Sequence, residues 1–226
     1  MLPLQYAYLV GDISLLCVWF LIFIYRKDLR KEILFFSVIV ALLSPIGAYL
    51  WWTFDWWHPL VFTGGNIGFE DLLVGFTMGG VSSVIYEEVY RKKPSKTSGV
   101  SGLKSFVFIL LFGMVLIDVL FRFLNYTAFW ATSIGMFVCG AIQLILRRDL
   151  IQNALMSGFL TIIACLPFYF LIMFLSPDWI NATYDKSLTG FRPLGIPIEE
   201  FIFYFLLGFC FGPAWEYIRG KKLVKY

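Results

Sequence analysis

Apolar residues in this chain fall into long runs broken by short polar stretches, with little of the alternation that marks strands or the narrow stripe that marks a helix packed on a soluble core. Seven such runs stand at 4–25, 31–52, 68–90, 102–123, 127–147, 150–175 and 194–218. Each is near or above the roughly 20 residues with which a helix crosses a bilayer. A helix that is apolar all round has no face for water, so the pattern predicts an all-α polytopic membrane protein with seven transmembrane helices. The first run has no charged segment before it and no small-residue cleavage site, so it is expected to stay in the mature protein. The chain is 60% hydrophobic and 15% charged, which leaves no soluble domain over.

The third run lies over the seventh without gaps: "GFEDLLVGFTMGGVSSVIYEEVYRKK" over "PIEEFIFYFLLGFCFGPAWEYIRGKK". Glu70 falls on Glu199, Asp71 on Glu200, Gly79 on Gly208 and Glu87 on Glu216. Upstream, "YRKDL" (25–29) falls on "LRRDL" (146–150). The expectation is a duplicated three-helix unit: repeat 1 at 1–93, a linking helix at 94–125, and repeat 2 at 126–226. One helix between two three-helix units returns the second to the orientation of the first, so the helices form a parallel 3+1+3 repeat about an axis along the membrane normal.

Charge orients this arrangement. Arg26, Lys27, Arg30 and Lys31, then Arg91, Lys92, Lys93, Lys96 and Lys104, then Arg147 and Arg148, and finally Arg219, Lys221, Lys222 and Lys225 follow alternate spans. They are 15 of the 18 basic residues, and only Arg122, Lys186 and Arg192 fall on the other side. The positive-inside rule then puts the N-terminus outside and the C-terminus in the cytoplasm, in the plasma membrane of a prokaryote. Basic residues at span ends suit membrane orientation and give no nucleic-acid groove. Cys17, Cys139, Cys165 and Cys210 lie inside spans without ligand spacing, and His58 is alone, so no metal site is expected. His58 with Trp51, Trp52, Trp56, Trp57 and Trp179 fits an interfacial aromatic belt. Neither a dinucleotide-binding glycine motif nor a P-loop is present, and no cofactor is expected.

The acids carry the candidate chemistry, because a carboxylate in hydrocarbon costs several kcal/mol unless it is paired, hydrated or protonated. Pro197 suits a helix start, which puts Glu199 and Glu200 in the first turn, without a basic partner one turn away and followed at once by Phe201, Phe203, Tyr204 and Phe205. Two adjacent acids in an apolar pocket tend to split their ionisation and form an acid/base pair, and a helix-start cap is the plainer alternative. Glu87, Glu88 and Glu216 fall near the basic boundary and read as interfacial partners of Lys or Arg. Asp12 and Asp118 are expected deeper, as proton relays or as polar glue between helices.

The stretch "GIPIEEFIFYF", preceded by "WINATYDKSLTGFRP", resembles the lycopene cyclase domain family, the flavin-independent membrane cyclases of carotenoid synthesis. The resemblance spans nearly the whole chain in its fused, seven-span form. It implies Glu199 and Glu200 as the catalytic pair, Pro197, Phe201, Phe203 and Tyr204 as their support, and Glu70 and Asp71 as the counterpart in repeat 1. It also implies a linear carotenoid such as lycopene as substrate, a non-redox cyclisation of the lyase or isomerase type, and membrane lipid and other carotenoid-pathway enzymes as partners. Ring closure at a polyene end needs a proton delivered, a carbocation held and a proton removed, which carboxyls and aromatic faces supply. Repeat 1 departs from the motif, with Gly68 for the proline and Asp71 for the second glutamate, so repeat 2 is expected to dominate. A non-catalytic carotenoid-binding relative and a proton-coupled transporter remain as other readings, the latter favoured by broken helices in both repeats. A retinal-type receptor is disfavoured because the seventh span has no lysine before Lys221.

Overall fold

A computed structural model describes residues 2–95, 102–184 and 189–225, so Lys96 and Lys186 of the charge pattern lie outside the described residues. Among the described residues seven helices are long and apolar enough to cross a membrane: α1 Leu4–Tyr25, α2 Arg30–Asp55, α3 Phe69–Val89, α4 Leu103–Arg122, α5 Ala128–Leu146, α6 Arg148–Leu175 and α7 Ile198–Arg219. Large apolar side chains such as Phe20, Leu42, Phe108, Phe159 and Phe174 point outward, as lipid contact requires. A short helix, Trp179–Thr183, bridges α6 and α7. The strands β1 (Lys92–Pro94) and β2 (Leu223–Lys225) pair antiparallel where α3 and α7 end.

The third helix of each repeat is packed tightly on the second. α3 lies along α2, α7 lies along α6, and α3 also touches α1, α6 and α7. In a membrane, where apolar side chains gain little by leaving lipid, such contacts depend on close backbone approach over small residues. A Cβ on Gly79 would sit 2.6 Å from the Phe36 carbonyl oxygen, and one on Gly208 would sit 2.4 Å from that of Ser157. The helices stay close because these positions carry no side chain. α4 packs on α5 and on the last turn of α7. α3 runs unbroken, whereas its counterpart α7 is interrupted at Gly212 and Pro213.

At the basic end two arginines make matching sets of bonds. Arg26 grips the Asp28 carboxylate with Nε at 3.0 Å and Nη2 at 2.9 Å, and donates to the carbonyls of Glu87 at 2.9 Å and Lys92 at 2.6 Å. Arg147 grips Asp149 with two bonds of 2.8 Å and donates to the carbonyls of Glu216 at 3.4 Å and Lys221 at 2.9 Å. Each guanidinium therefore ties the start of a second helix to the carbonyls left open where a third helix ends. Glu88 pairs with Arg26 at 3.1 Å, as an interfacial acid should. Glu87 and Glu216 do not fit that expectation: both are fully buried, and the Asn153 amide bridges them at 3.1 and 3.5 Å. Helical phase explains the difference, since Glu87 is turned about 100° from Glu88, toward the bundle axis.

Candidate functional site

At the other end of the bundle, α3 and α7 begin with the two acid pairs. Pro197 is the N-cap of α7 and Gly68 that of α3, so Glu199 and Glu70 stand second in their helices and Glu200 and Asp71 third. The first acid of each pair holds the loop that enters its helix. Glu70 accepts the Phe62 amide at 2.6 Å, while Glu199 accepts the Thr189 amide at 2.8 Å and its hydroxyl at 2.6 Å.

The second acids have different fates, and one substitution explains why. An acid in the third position ordinarily turns back to the N-cap amide, and Asp71 does so, accepting from Gly68 N–H at 2.8 Å. Pro197 has no N–H. Glu200 therefore has no cap to make and extends instead into the interior, where Tyr169 donates to its Oε2 and Oε1 is buried without a partner. Tyr184 is its second phenol neighbour, 3.1 Å from Tyr169 between hydroxyls. Burial, and after it the Glu200 charge, pushes the Tyr184 phenol up, so it remains a donor at physiological pH.

Glu200 and Asp71 both face one elongated cavity enclosing about 1190 Å³ of atom-free space, its mouth included. The cavity runs beside α7 from Glu200 to Phe211, about 16 Å at 1.5 Å per residue, with walls from α2, α3, α4, α5 and α7. Its lining is almost wholly apolar; Asp71, Glu200, Tyr8 and Tyr204 bring polar groups to the acid end, and Ser44 and Thr132 add a hydroxyl each. Tyr8 donates to Asp71 Oδ1 at 3.3 Å. An apolar cleft with a few convergent polar groups is the usual form of a small-molecule site.

Aromatic rings cover the wall next to these acids. Trp52, Trp56 and Phe203 form a triangle with centroids 5.3–6.0 Å apart, all edge to face. The Trp52 indole is fixed by a 3.0 Å bond to Thr132, and that of Trp51 by a 3.1 Å bond to Asp118. Such rings offer their π faces to positive charge without competing for a proton. The belt expected from the tryptophans is corrected here: Trp51, Trp56 and Trp179 are buried, and Trp51, Trp52, Trp56 and Trp57 line the cavity. A π turn at Ala48–Trp52, just after Pro45 within α2, shifts the phase of the tryptophans that follow.

The lycopene cyclase family model matches residues 5–89 and 125–218, most of the chain in two regions that coincide with the two halves of the internal repeat. The chain belongs to the lycopene cyclase family. No curated protein and no solved structure matches it. Membership supports carotenoid cyclisation as the activity of the chain and a carotenoid as its substrate. With seven apolar helices it is an integral membrane enzyme.

Of the residues singled out in the sequence, Glu200, Phe203, Tyr204 and Asp71 meet at the cavity of this cyclase. Glu199 and Glu70 hold loops beside it, and Phe201 lines a separate minor crevice with Tyr169 and Ile196. Phe205 of α7 points away from the cavity and packs against α6, its ring centroid 5.0 Å from that of Phe159. Asp118 is half exposed and paired with Arg122 at 2.6 Å, so its depth is corrected to the surface. Tyr8 and Tyr169 were not singled out because a lone tyrosine within an apolar run carries no local signal, nor was Tyr184, a lone tyrosine in the loop before α7.

Proposed function

We propose that this member of the family cyclises the end of a linear polyene by proton transfer between Glu200 and Asp71 across the cavity. The observation that carries the reading is the Pro197 cap, which leaves Glu200 Oε1 without a partner beside an apolar cavity. With Tyr169 donating to Oε2, a proton on Glu200 sits on Oε1, where it can pass to the terminal double bond. The resulting carbocation closes the ring under the faces of Trp52, Trp56 and Phe203. Asp71, which accepts from Gly68 N–H and Tyr8 O–H, is prepared as the base that removes the final proton. One proton enters and one leaves, so the step moves no net electrons and belongs to the lyase or isomerase type.

In this reading repeat 2 supplies the acid and repeat 1 the base, so the two halves form one composite site, with Glu199 and Glu70 as loop anchors. The matched Arg26 and Arg147 bond sets support a parallel 3+1+3 relation between residues 1–93 and 126–226, with 94–125 as linker. The basic loops support a cytoplasmic C-terminus, which sets the acids near the outer face of a prokaryotic plasma membrane. Membrane lipid would deliver the substrate, and neighbouring pathway enzymes would supply it. The test is expression in a lycopene-accumulating bacterium with chromatography of the pigments. Cyclised carotenoid is expected from the parent and none from Glu200→Gln, and ring formation by Glu200→Gln would overturn the assignment.

A further inference from the structure

The wall of the cavity is closed on every side but one. Going round it, α2 is packed on α3, α3 touches α7, α7 packs on α5 and α5 on α4. Two of these contacts leave no room for a side chain: a Cβ on Gly140 of α5 would sit 2.5 Å from the Phe209 ring of α7, and one on Gly113 of α4 would sit 2.3 Å from Cys139 Sγ of α5. α4 and α2, which would complete the wall, are not packed on each other along their length. They meet at their ends. Near the basic end the rings of Phe36 and Phe106 stand edge to face, 6.0 Å apart. Near the acid end Trp51 donates to Asp118 at 3.1 Å, and the Phe54 ring lies 5.7 Å from that of Phe121. Between these ends the cavity is lined by Val40, Leu43 and Gly47 of α2 and by Leu110 and Met114 of α4. Phe106, Leu110, Met114 and Asp118 follow one another at steps of four and so form one face of α4. Leu43, Leu110 and Met114 are half-buried, and their sequence neighbours Leu42 and Leu111 are exposed.

Both ends of the cavity are shut. At the acid end the last turns of α2 reach α5, where Trp52 donates to Thr132 at 3.0 Å and Asp55 accepts the Ala128 amide at 2.9 Å. At the basic end the buried rings of Phe36, Phe106 and Phe211 close the floor, with Phe36 5.9 Å from Phe211. A linear carotenoid is about as long as the roughly 30 Å apolar core of a bilayer is thick, whereas the cavity gives it about 16 Å beside α7. A stiff polyene cannot fold back on itself, so about half of it has to leave the cavity through the wall.

We infer that the seam between α2 and α4 is the side door of the site: the carotenoid enters through it from the lipid, and its unreacted half stays in it while the reacting end lies at the acids. The inference rests on the cavity as the proposed site of cyclisation and adds where the rest of the substrate goes. A hydrocarbon dissolved in the bilayer core needs no aqueous path, and a lateral opening lined by Leu43, Leu110 and Met114 gives it none to cross.

Thiol protection tests this in full-length Glu200→Gln protein in lipid vesicles, where lycopene binds and is not consumed. Leu43→Cys and Met114→Cys lie in the seam, Val74→Cys on the α3 wall of the cavity, and Val115→Cys on the exposed side of α4. Each variant is treated with a membrane-soluble maleimide, and mass spectrometry of the peptides separates the new thiol from the native cysteines. Binding is followed by the circular dichroism that the polyene gains in the protein. At about ten times the half-saturating amount of lycopene about one site in eleven is empty, so Leu43→Cys, Met114→Cys and Val74→Cys should react about tenfold more slowly, and Val115→Cys at an unchanged rate. Protection of Val74→Cys without the two seam positions would overturn the door and leave the cavity as the site. Seam thiols that are inert without lycopene would overturn it as well, and so would equal slowing at Val115→Cys. Bound lycopene that protects none of the four would place the carotenoid outside the cavity and remove the proposed function together with this inference.

Discussion

Adjacent glutamates at the head of α7 should respond in opposite ways to the same substitution. Glu200→Gln keeps the length of the side chain and an acceptor for Tyr169 but cannot give a proton from Oε1. General acid catalysis contributes about 10²- to 10⁴-fold, or about 3–5 kcal/mol of barrier, so cyclisation should fall by that factor with thermal stability unchanged. Glu199→Gln alters two hydrogen bonds to Thr189, at 2.8 and 2.6 Å, and nothing in the cavity. Exchanging a carboxyl acceptor for an amide weakens each by on the order of 1 kcal/mol, hence about 2 kcal/mol of stability. For a chain of this length that is a Tm lower by about 4–8 °C, while activity per folded molecule stays within about tenfold of the parent. Pigment chromatography normalised to folded protein, together with melting curves of both variants in one detergent, measures the two quantities. The reasoning is refuted if Glu199→Gln abolishes cyclisation at an unchanged Tm, because the first acid would then be part of the chemistry.

Pro197→Gly restores the N–H that a third-position acid can cap, so Glu200 should turn back as Asp71 does and activity should drop at least tenfold, with the helix intact by circular dichroism. Glu70→Gln, which disturbs only the bond to Phe62 N–H, should keep most of the product, whereas Asp71→Asn should lose about 100-fold or more in the same pigment assay. Gly208→Ala would set a Cβ 2.4 Å from a backbone oxygen of α6, so denaturation should show a loss of about 1–3 kcal/mol. Burial works against the charge of Asp28, but Arg26 prevails and holds its carboxyl below the usual range. Its stabilisation is thus fully present above the unfolded carboxyl value of about 3.9 and fades as pH falls through the lower folded value. Asp28→Asn should remove that part of the acid-unfolding limb, and an unaltered limb would place the acid sensitivity elsewhere.

The apolar runs by themselves fixed the helical class and the seven spans, since any segment that crosses hydrocarbon must close its own backbone hydrogen bonds and shows this as length and composition. The same strings carried the duplication, and the Pro-x-Glu-Glu stretch marked the neighbourhood of the site. What the string could not say is which of two adjacent acids faces inward. Successive residues on a helix point about 100° apart, and their fates depend on what the preceding loop and the N-cap offer them. Thr189 captured Glu199, and the missing N–H of Pro197 released Glu200. Nor could it say that the tryptophans of 51–57 would line a cavity, because a membrane helix is apolar toward lipid and toward protein alike. Tyr8, Tyr169 and Tyr184 became partners of the acids only when α1, α6 and the chain after the short helix met α3 and α7. Contacts 15 to 63 residues apart in sequence exist only in the packed bundle, and there the tertiary structure decided the chemistry.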